Sequence, residues 1–117
     1  MNAIIDDRPL VSVVVPSLNQ GLFIRETIDS ILHQNYRPIE VIVVDGGSTD
    51  ETLDVLSSYS ECSEVTWISE SDQGLADAVN KGFNCAKGDI VGWLDPVNVY
   101  FFCDSINQIV DTFESKS

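Results

Sequence analysis

The stretch "IEVIVVDGGSTDETLDVL", residues 39–56, decides the fold. Its first seven residues form a nearly unbroken β-branched run ending in Asp45, the pattern of a strand buried on both faces. "GGSTDE" then turns the chain. Ser48 with Glu51 predicts a capping box for a helix carrying Leu53, Leu56 and Tyr59.

The flanking segments continue the alternation. Upstream, "LVSVVVP" (10–16) is another doubly buried strand, and "SLNQG" breaks it with turn formers. Ile24, Ile28, Ile31 and Leu32 then recur on one helical face over 22–35, before Pro38 disfavours helix at Arg37. Downstream, "EVTWIS" (64–69) reads as a short alternating strand. "DQGLADAVNKGFNCAKG" (72–88) predicts a helix with Leu75, Ala78, Val79, Phe83 and Ala86 inward and Gly88 as its stop signal. "GDIVGWLDPVNVY" (88–100) supplies a fourth strand over 89–94 that delivers Asp95 to its carboxyl end. Ile106, Ile109, Val110 and Phe113 predict a last helix over 104–114.

Strictly alternating strands and helices call for an α/β fold: a mostly parallel sheet with helices on both faces. The 117 residues suit a single domain, 1–117, with its core at about 10–114. Ligands of such folds sit at the carboxyl ends of the strands, where strand order reverses. The loops "PSLNQG", "DGGSTD" and "LDPVN" leave those ends and are expected to converge.

A formal charge of −13 with six Lys and Arg argues against nucleic acid or an anionic membrane surface as the main partner. Cys62, Cys85 and Cys103 lack CxxC spacing and read as free thiols of a reducing compartment. No basic-then-apolar leader opens "MNAIIDDRPL", and no apolar run approaches the ~20 residues of a membrane span. A cytoplasmic location is expected.

His33 is the only histidine and lies in a helix, which disfavours a Ser/His/Asp triad and leaves a surface or capping role. P-loop and GxGxxG motifs are absent, and a structural zinc site lacks ligands. "DGGSTDE" fits an anion site at a helix start and, equally, a tight glycine turn. Asp45 is open to two readings: an Asx-turn with its own loop, or hydrogen bonds to a ligand. Asp95, at another strand end, shares the ambiguity.

Together, "VSVVVPSLNQGLFIRETIDSILHQNYRPIEVIVVDGGSTDETLDVL" and "ESDQGLADAVNKGFNCAKGDIVGWLDPVNVY" resemble the nucleotide-binding half of the family 2 inverting glycosyltransferases, a Rossmann-like GT-A fold. The resemblance runs in register over about 11–100, and "DGGSTD" looks like the branch that builds bacterial surface polysaccharides. It implies a nucleotide-sugar pocket lined by Pro16, Ser17 and Asn19, with Asp45 on the base, usually uracil. Asp72 and the "AVNKG" helix start, including Asn80, would lie near the nucleotide-sugar. Asp95 would open the family's DxD-type motif, which holds Mg²⁺ or Mn²⁺ on the diphosphate through hard oxygen ligands.

Two departures qualify what the resemblance implies. Where the family reads LDADD or LNSDD, this chain reads "LDPVN". Val97 offers no ligand oxygen and Asn98 only a weaker amide carbonyl, so metal affinity is expected to drop. The family's acceptor-binding half, with its general base, would follow this region, and no residue here matches that base. The expected function is therefore binding of a donor, a UDP-sugar, for glycosyl transfer by a domain not self-sufficient as this chain. The alternative is a degenerate, non-catalytic binding or scaffold domain. Expected partners are a nucleotide-sugar and either a second copy of the chain or an active transferase.

Overall fold

The computed structural model describes residues 8–94. The expected helix over 104–114 lies outside them, as do Asp95, Pro96, Val97 and Asn98. β1 (Val11–Ser17), β2 (Ile39–Asp45), β3 (Val65–Ser69) and β4 (Ile90–Trp93) form one parallel sheet in the order β3-β2-β1-β4. Three helices connect them: α1 (Ile24–Leu32), α2 (Thr52–Ser57) and α3 (Leu75–Cys85). The α/β expectation, with helices on both faces, holds.

Parallel pairing explains the unbroken apolar runs, because each central strand must bury both faces. Val11, Val13 and Val15 of β1 and Ile39, Val41 and Val43 of β2 pack with Ile24, Ile28 and Ile31 of α1 and Leu56 of α2. On the opposite face Val14, Ile42 and Val44 pack against Ala78 of α3. Every residue of β1 is buried. At the edge of the first core, Tyr59 donates its hydroxyl proton to Asp29 Oδ1 (2.6 Å), and the Arg25 guanidinium lies over its ring. Burial, reinforced by Asp29, pushes the Tyr59 phenol well above its ordinary range.

Several expected boundaries shift for identifiable reasons. α1 stops at Leu32 because Arg37 takes over the carbonyls that its end exposes. Arg37 Nη2 donates to Leu32 O (2.8 Å), Nη1 donates to Gln34 O (3.0 Å), and Nε pairs with Glu64 (2.7 Å). His33 sits at the C-cap, exposed, as its helix position suggested. The capping box does not form. Ser48 is drawn to Asp45 instead, and the first N–H of α2, at Thr52, donates to Asp50 Oδ1 (2.9 Å). Gly88 does not end α3, which stops at Cys85. It donates its N–H to Ser12 Oγ (2.8 Å) on the way into β4.

The expected inward face of α3 is corrected most. Ala78 and Val79 are buried and Ala86 packs on that core, but Leu75 is 51% and Phe83 41% exposed. The contact runs instead through Gly82, which is buried. A Cβ there would collide with both γ-methyls of Val14. Small side chains at Ala78 and Gly82, four apart, let the helix lie close on the sheet and push its larger residues to the flanks. Among the described residues no helix is long and apolar enough to cross a membrane.

Gly82→Leu is expected to destabilise the fold by about 2 kcal/mol or more, because Val14 sits in a core with no room to give. Urea denaturation measures this. An unchanged midpoint would mean that α3 does not make the close contact described.

Candidate functional site

Strand order reverses beside β1, with β2 and β3 on one side and β4 on the other. The carboxyl ends of β1, β2 and β3 open towards a common rim, and its geometry starts from Asp45. This carboxylate, the last residue of β2, has no solvent exposure, so its oxygens need donors from the protein. Oδ2 accepts from Gly47 N (3.1 Å), Ser48 N (2.8 Å) and the Ser69 hydroxyl (2.9 Å), and Oδ1 accepts from the Ser48 hydroxyl (2.5 Å). The Asx-turn reading of Asp45 is thus realised, and β3 is drawn into it.

Asn19 locks the β1 loop onto this turn. Its backbone N–H donates to Ser48 Oγ (2.7 Å), and its Oδ1 accepts from Thr49 N (2.8 Å) and Asp50 N (3.2 Å). The residue stands at φ 52°, a left-handed conformation that Asn tolerates better than most side chains. Two further ties complete the clasp: Gln20 N to Thr52 Oγ1 (3.1 Å) and Gly21 N to Asp50 Oδ2 (3.1 Å). "PSLNQG" and "DGGSTD" therefore converge as expected. "LDPVN" enters the described residues only through Leu94.

Against the clasp lies a cleft of ≈ 180 Å³. Pro16, Ser17, Leu18 and Gln20 form one wall, Asp72 and Gly74 the rim, and Leu75 and Ala78 of α3 the other wall. Ser17 is 5% exposed, and among the described residues its hydroxyl has no hydrogen-bond partner. A buried hydroxyl left unsatisfied is costly. Asp72 Oδ1 accepts from Gly74 N (3.0 Å). Among the described residues no Lys or Arg lines the cleft. Beside it, Lys81 is committed to Glu70 (3.1 Å), Asp77 (3.5 Å) and Ser71 O (3.1 Å). The hydrogen bond that Lys81 donates to Glu70 does most to hold this ammonium above its ordinary pKa.

Of the residues expected at the site, Pro16, Ser17 and Asp72 line the cleft together. Asp45 and Asn19 stand behind its wall, with their side chains engaged in the loops. Asn80 is exposed in the middle of α3, which starts at Leu75, so "AVNKG" is not the helix start. Leu18, Gln20, Gly74, Leu75 and Ala78 were not anticipated as lining residues. For Leu75 the available signal was a large apolar residue at the first position of a helix that opens at a strand's carboxyl end. Among the described residues no group of three or more His, Cys, Asp or Glu is placed to hold a metal. Asp72 is the only carboxylate among the described residues that line the cleft, so these residues do not by themselves make a cation site.

Comparison with known proteins is concordant. A family model described as "Glycosyl transferase family 2" matches residues 12–99. An uncharacterised glycosyltransferase of Rickettsia prowazekii is 39% identical over 93 residues, 80% of this chain and 29% of that protein. The PGL/p-HBAD biosynthesis glycosyltransferase of Mycobacterium bovis is 32% identical over 103 residues, 86% of this chain and 40% of that protein. Among solved structures, a mannosyltransferase from Pyrobaculum calidifontis in complex with GDP-Man and Mn²⁺ superposes with a TM-score of 0.81 at 33% identity. That match covers 88% of this chain and 32% of the archaeal one. S. aureus TarS 1-349 in complex with UDP gives 0.80 at 26% identity, covering 90% and 32%. The chain thus spans well under half the length of these relatives.

Asp45→Ala strands the donors of Gly47, Ser48 and Ser69, and is expected to cost about 3 kcal/mol or more in urea denaturation. A smaller loss would mean that solvent reaches the turn. Acid should loosen the clasp at Asp50, whose carboxyl is held below its ordinary 3.8, chiefly by the hydrogen bond from the Thr52 hydroxyl. A depressed folded pKa gives stability that is present above the unfolded value and lost as pH falls through the folded one. Stability should therefore fall as pH drops below 3.8, less steeply in Asp50→Asn, as thermal melts across that range would record. Equal slopes for the two proteins would remove Asp50 from the acid response.

Proposed function

Because the chain belongs to glycosyl transferase family 2, we propose that its cleft takes the nucleoside end of a nucleotide-sugar donor. The observation that carries this reading is the buried hydroxyl of Ser17, without a hydrogen-bond partner among the described residues, at a cleft whose described lining has apolar walls, one carboxylate and no cation. Such a lining suits an uncharged polar ring system and repels a phosphate. Pro16, Leu18, Leu75 and Ala78 supply the apolar contact, Ser17 a hydroxyl that both donates and accepts, and Asp72 an acceptor. Asp45 and Asn19 support the site by holding the wall in shape, and direct contact between Asp45 and the base belongs to the same proposal. Asn80 is carried over by resemblance alone.

UDP is the proposed nucleotide, as in the complex of S. aureus TarS, and surface polysaccharide synthesis the proposed setting. This domain's share of the transfer is donor binding, with acceptor and base supplied elsewhere in the full enzyme. A divalent cation, when bound, would neutralise the charge that develops on the departing diphosphate. Asp95 with the amide oxygen of Asn98 is the proposed ligand pair, on the strength of sequence resemblance and of the Mn²⁺ in the Pyrobaculum complex. The free thiols of Cys62 and Cys85 suit work in the reducing cytoplasm. Val97, in place of a carboxylate, favours a second reading: a non-catalytic domain that pairs with an active transferase or with its own copy.

Calorimetry tests the first reading. Uridine should bind within about threefold of UDP in the absence of metal, and Ser17→Ala should weaken uridine binding about tenfold. The same substitution should leave the melting temperature unchanged or raise it, since it removes an unsatisfied buried group. Unchanged binding in Ser17→Ala would refute the assignment. The metal pair is tested by Val97→Asp combined with Asn98→Asp, which should make UDP binding more strongly Mn²⁺-dependent. If Mn²⁺ affects neither protein's affinity for UDP, the non-catalytic reading prevails.

A further inference from the structure

Building on the nucleoside reading, we infer that Gly46 is a positioning residue: its missing side chain seats the Asp72 carboxylate at the cleft rim as the acceptor for a donor group of the bound nucleoside. Gly46 follows Asp45 at the end of β2, and its N–H donates to Ser17 O (2.8 Å), which fixes its backbone beside the orphaned hydroxyl. Asp45 O in turn accepts from Glu70 N (2.9 Å), which starts the β3 loop next to it. Two residues further on, the side chain of Asp72 comes to rest over Gly46. A Cβ at position 46 would lie 2.7 Å from Asp72 Oδ2, 3.1 Å from Cγ and 3.2 Å from Oδ1. These are the nearest atoms such a Cβ would meet, so the space above Gly46 is the seat of this carboxylate.

The seat leaves one oxygen for a ligand. Oδ1 is held by Gly74 N, while Oδ2 has no hydrogen-bond partner among the described residues. A carboxylate only accepts, so the matching group is an N–H or O–H of an uncharged ligand. In a nucleoside that group is the ring imide N–H or a ribose hydroxyl. Gly46 does not adopt the left-handed conformation that Gly47 and Gly74 do, so alanine carries no backbone strain there. Its only cost is to push the Asp72 carboxylate off the seat. The fold should survive while the acceptor is lost.

A double-mutant cycle with uridine, followed by calorimetry on the whole chain, tests this. Gly46→Ala and Asp72→Ala should each weaken uridine binding about tenfold, and the double variant should be no weaker than Asp72→Ala alone. The inference is overturned if Gly46→Ala binds like the wild type, or if the two losses multiply. Two analogues identify the donor group: 3-methyluridine lacks the imide N–H and 2′-deoxyuridine lacks a ribose hydroxyl. One of them should bind the wild type as weakly as uridine binds Gly46→Ala, and should be indifferent to that substitution. If both analogues lose a further tenfold in Gly46→Ala, position 46 acts other than through Asp72. Thermal melts read the seat without any ligand: Gly46→Ala should lower the melting temperature more in the wild type than in the Asp72→Ala background. Should the wild type bind neither uridine nor UDP, the nucleoside reading and the ligand half of this inference both fall. Equal melting shifts in the two backgrounds would instead remove the seat alone.

Discussion

A carboxylate with no access to water ends the second strand, and the rim at the strands' carboxyl ends is arranged around its need for donors. Asp45 draws two backbone N–H groups and the Ser48 hydroxyl from its own loop, and reaches across to the Ser69 hydroxyl on β3. Ser48 then accepts from Asn19, so the β1 loop is coupled to the same charge. Leaving any of these donors unpaired in a buried setting would cost more than the bonds themselves return against water. The loops at three strand ends are therefore ordered as one unit, and the cleft wall built from Pro16, Ser17, Leu18 and Gln20 inherits that order.

The sheet's two faces serve different purposes. One carries the larger core, where the isoleucines of α1 interlock with alternate valines of β1 and β2. The other takes α3 at close range through Ala78 and Gly82. That approach sets the opposite wall of the cleft, because it leaves Leu75 at the helix start half-exposed over the carboxyl end of β1. Lys81, three residues on from Ala78, adds a tie from α3 to the β3 loop through Glu70 and Ser71. Stability on this face and the shape of the site thus depend on the same small residues.

Much of the architecture was legible in the sequence because its signals are periodic and local. β-branched runs such as residues 41–44 announce a doubly buried strand wherever they occur, and Ile24, Ile28 and Ile31 declare a helix face by spacing alone. Pro16, Ser17 and Asp72 were also named in advance and do meet in the cleft. The misreadings share a cause. Ser48 has the right spacing for a capping box, yet a buried charge three residues earlier competes for its hydroxyl and wins. Leu75 and Phe83 have helical spacing for burial, yet a closer contact at Gly82 turns them outward. Asn80 shares a motif with the helix start but lies along the helix instead.

The sequence by itself determined which segments are strands and helices, that the sheet is parallel, and that three strand ends carry polar loops. Each of these follows from side-chain period, branching and turn chemistry within a dozen residues. Only the tertiary structure decided which hydroxyls are satisfied. Ser48 and Ser69 both serve Asp45, while the hydroxyl of Ser17, facing Asp45 across the same register, has no partner among the described residues. It also decided that Asp72 lies in the space a glycine leaves open. Ser69 and Asp45, Gly46 and Asp72, and Ser17 and Asp45 stand 24 to 28 positions apart, and no local pattern encodes the distances between them.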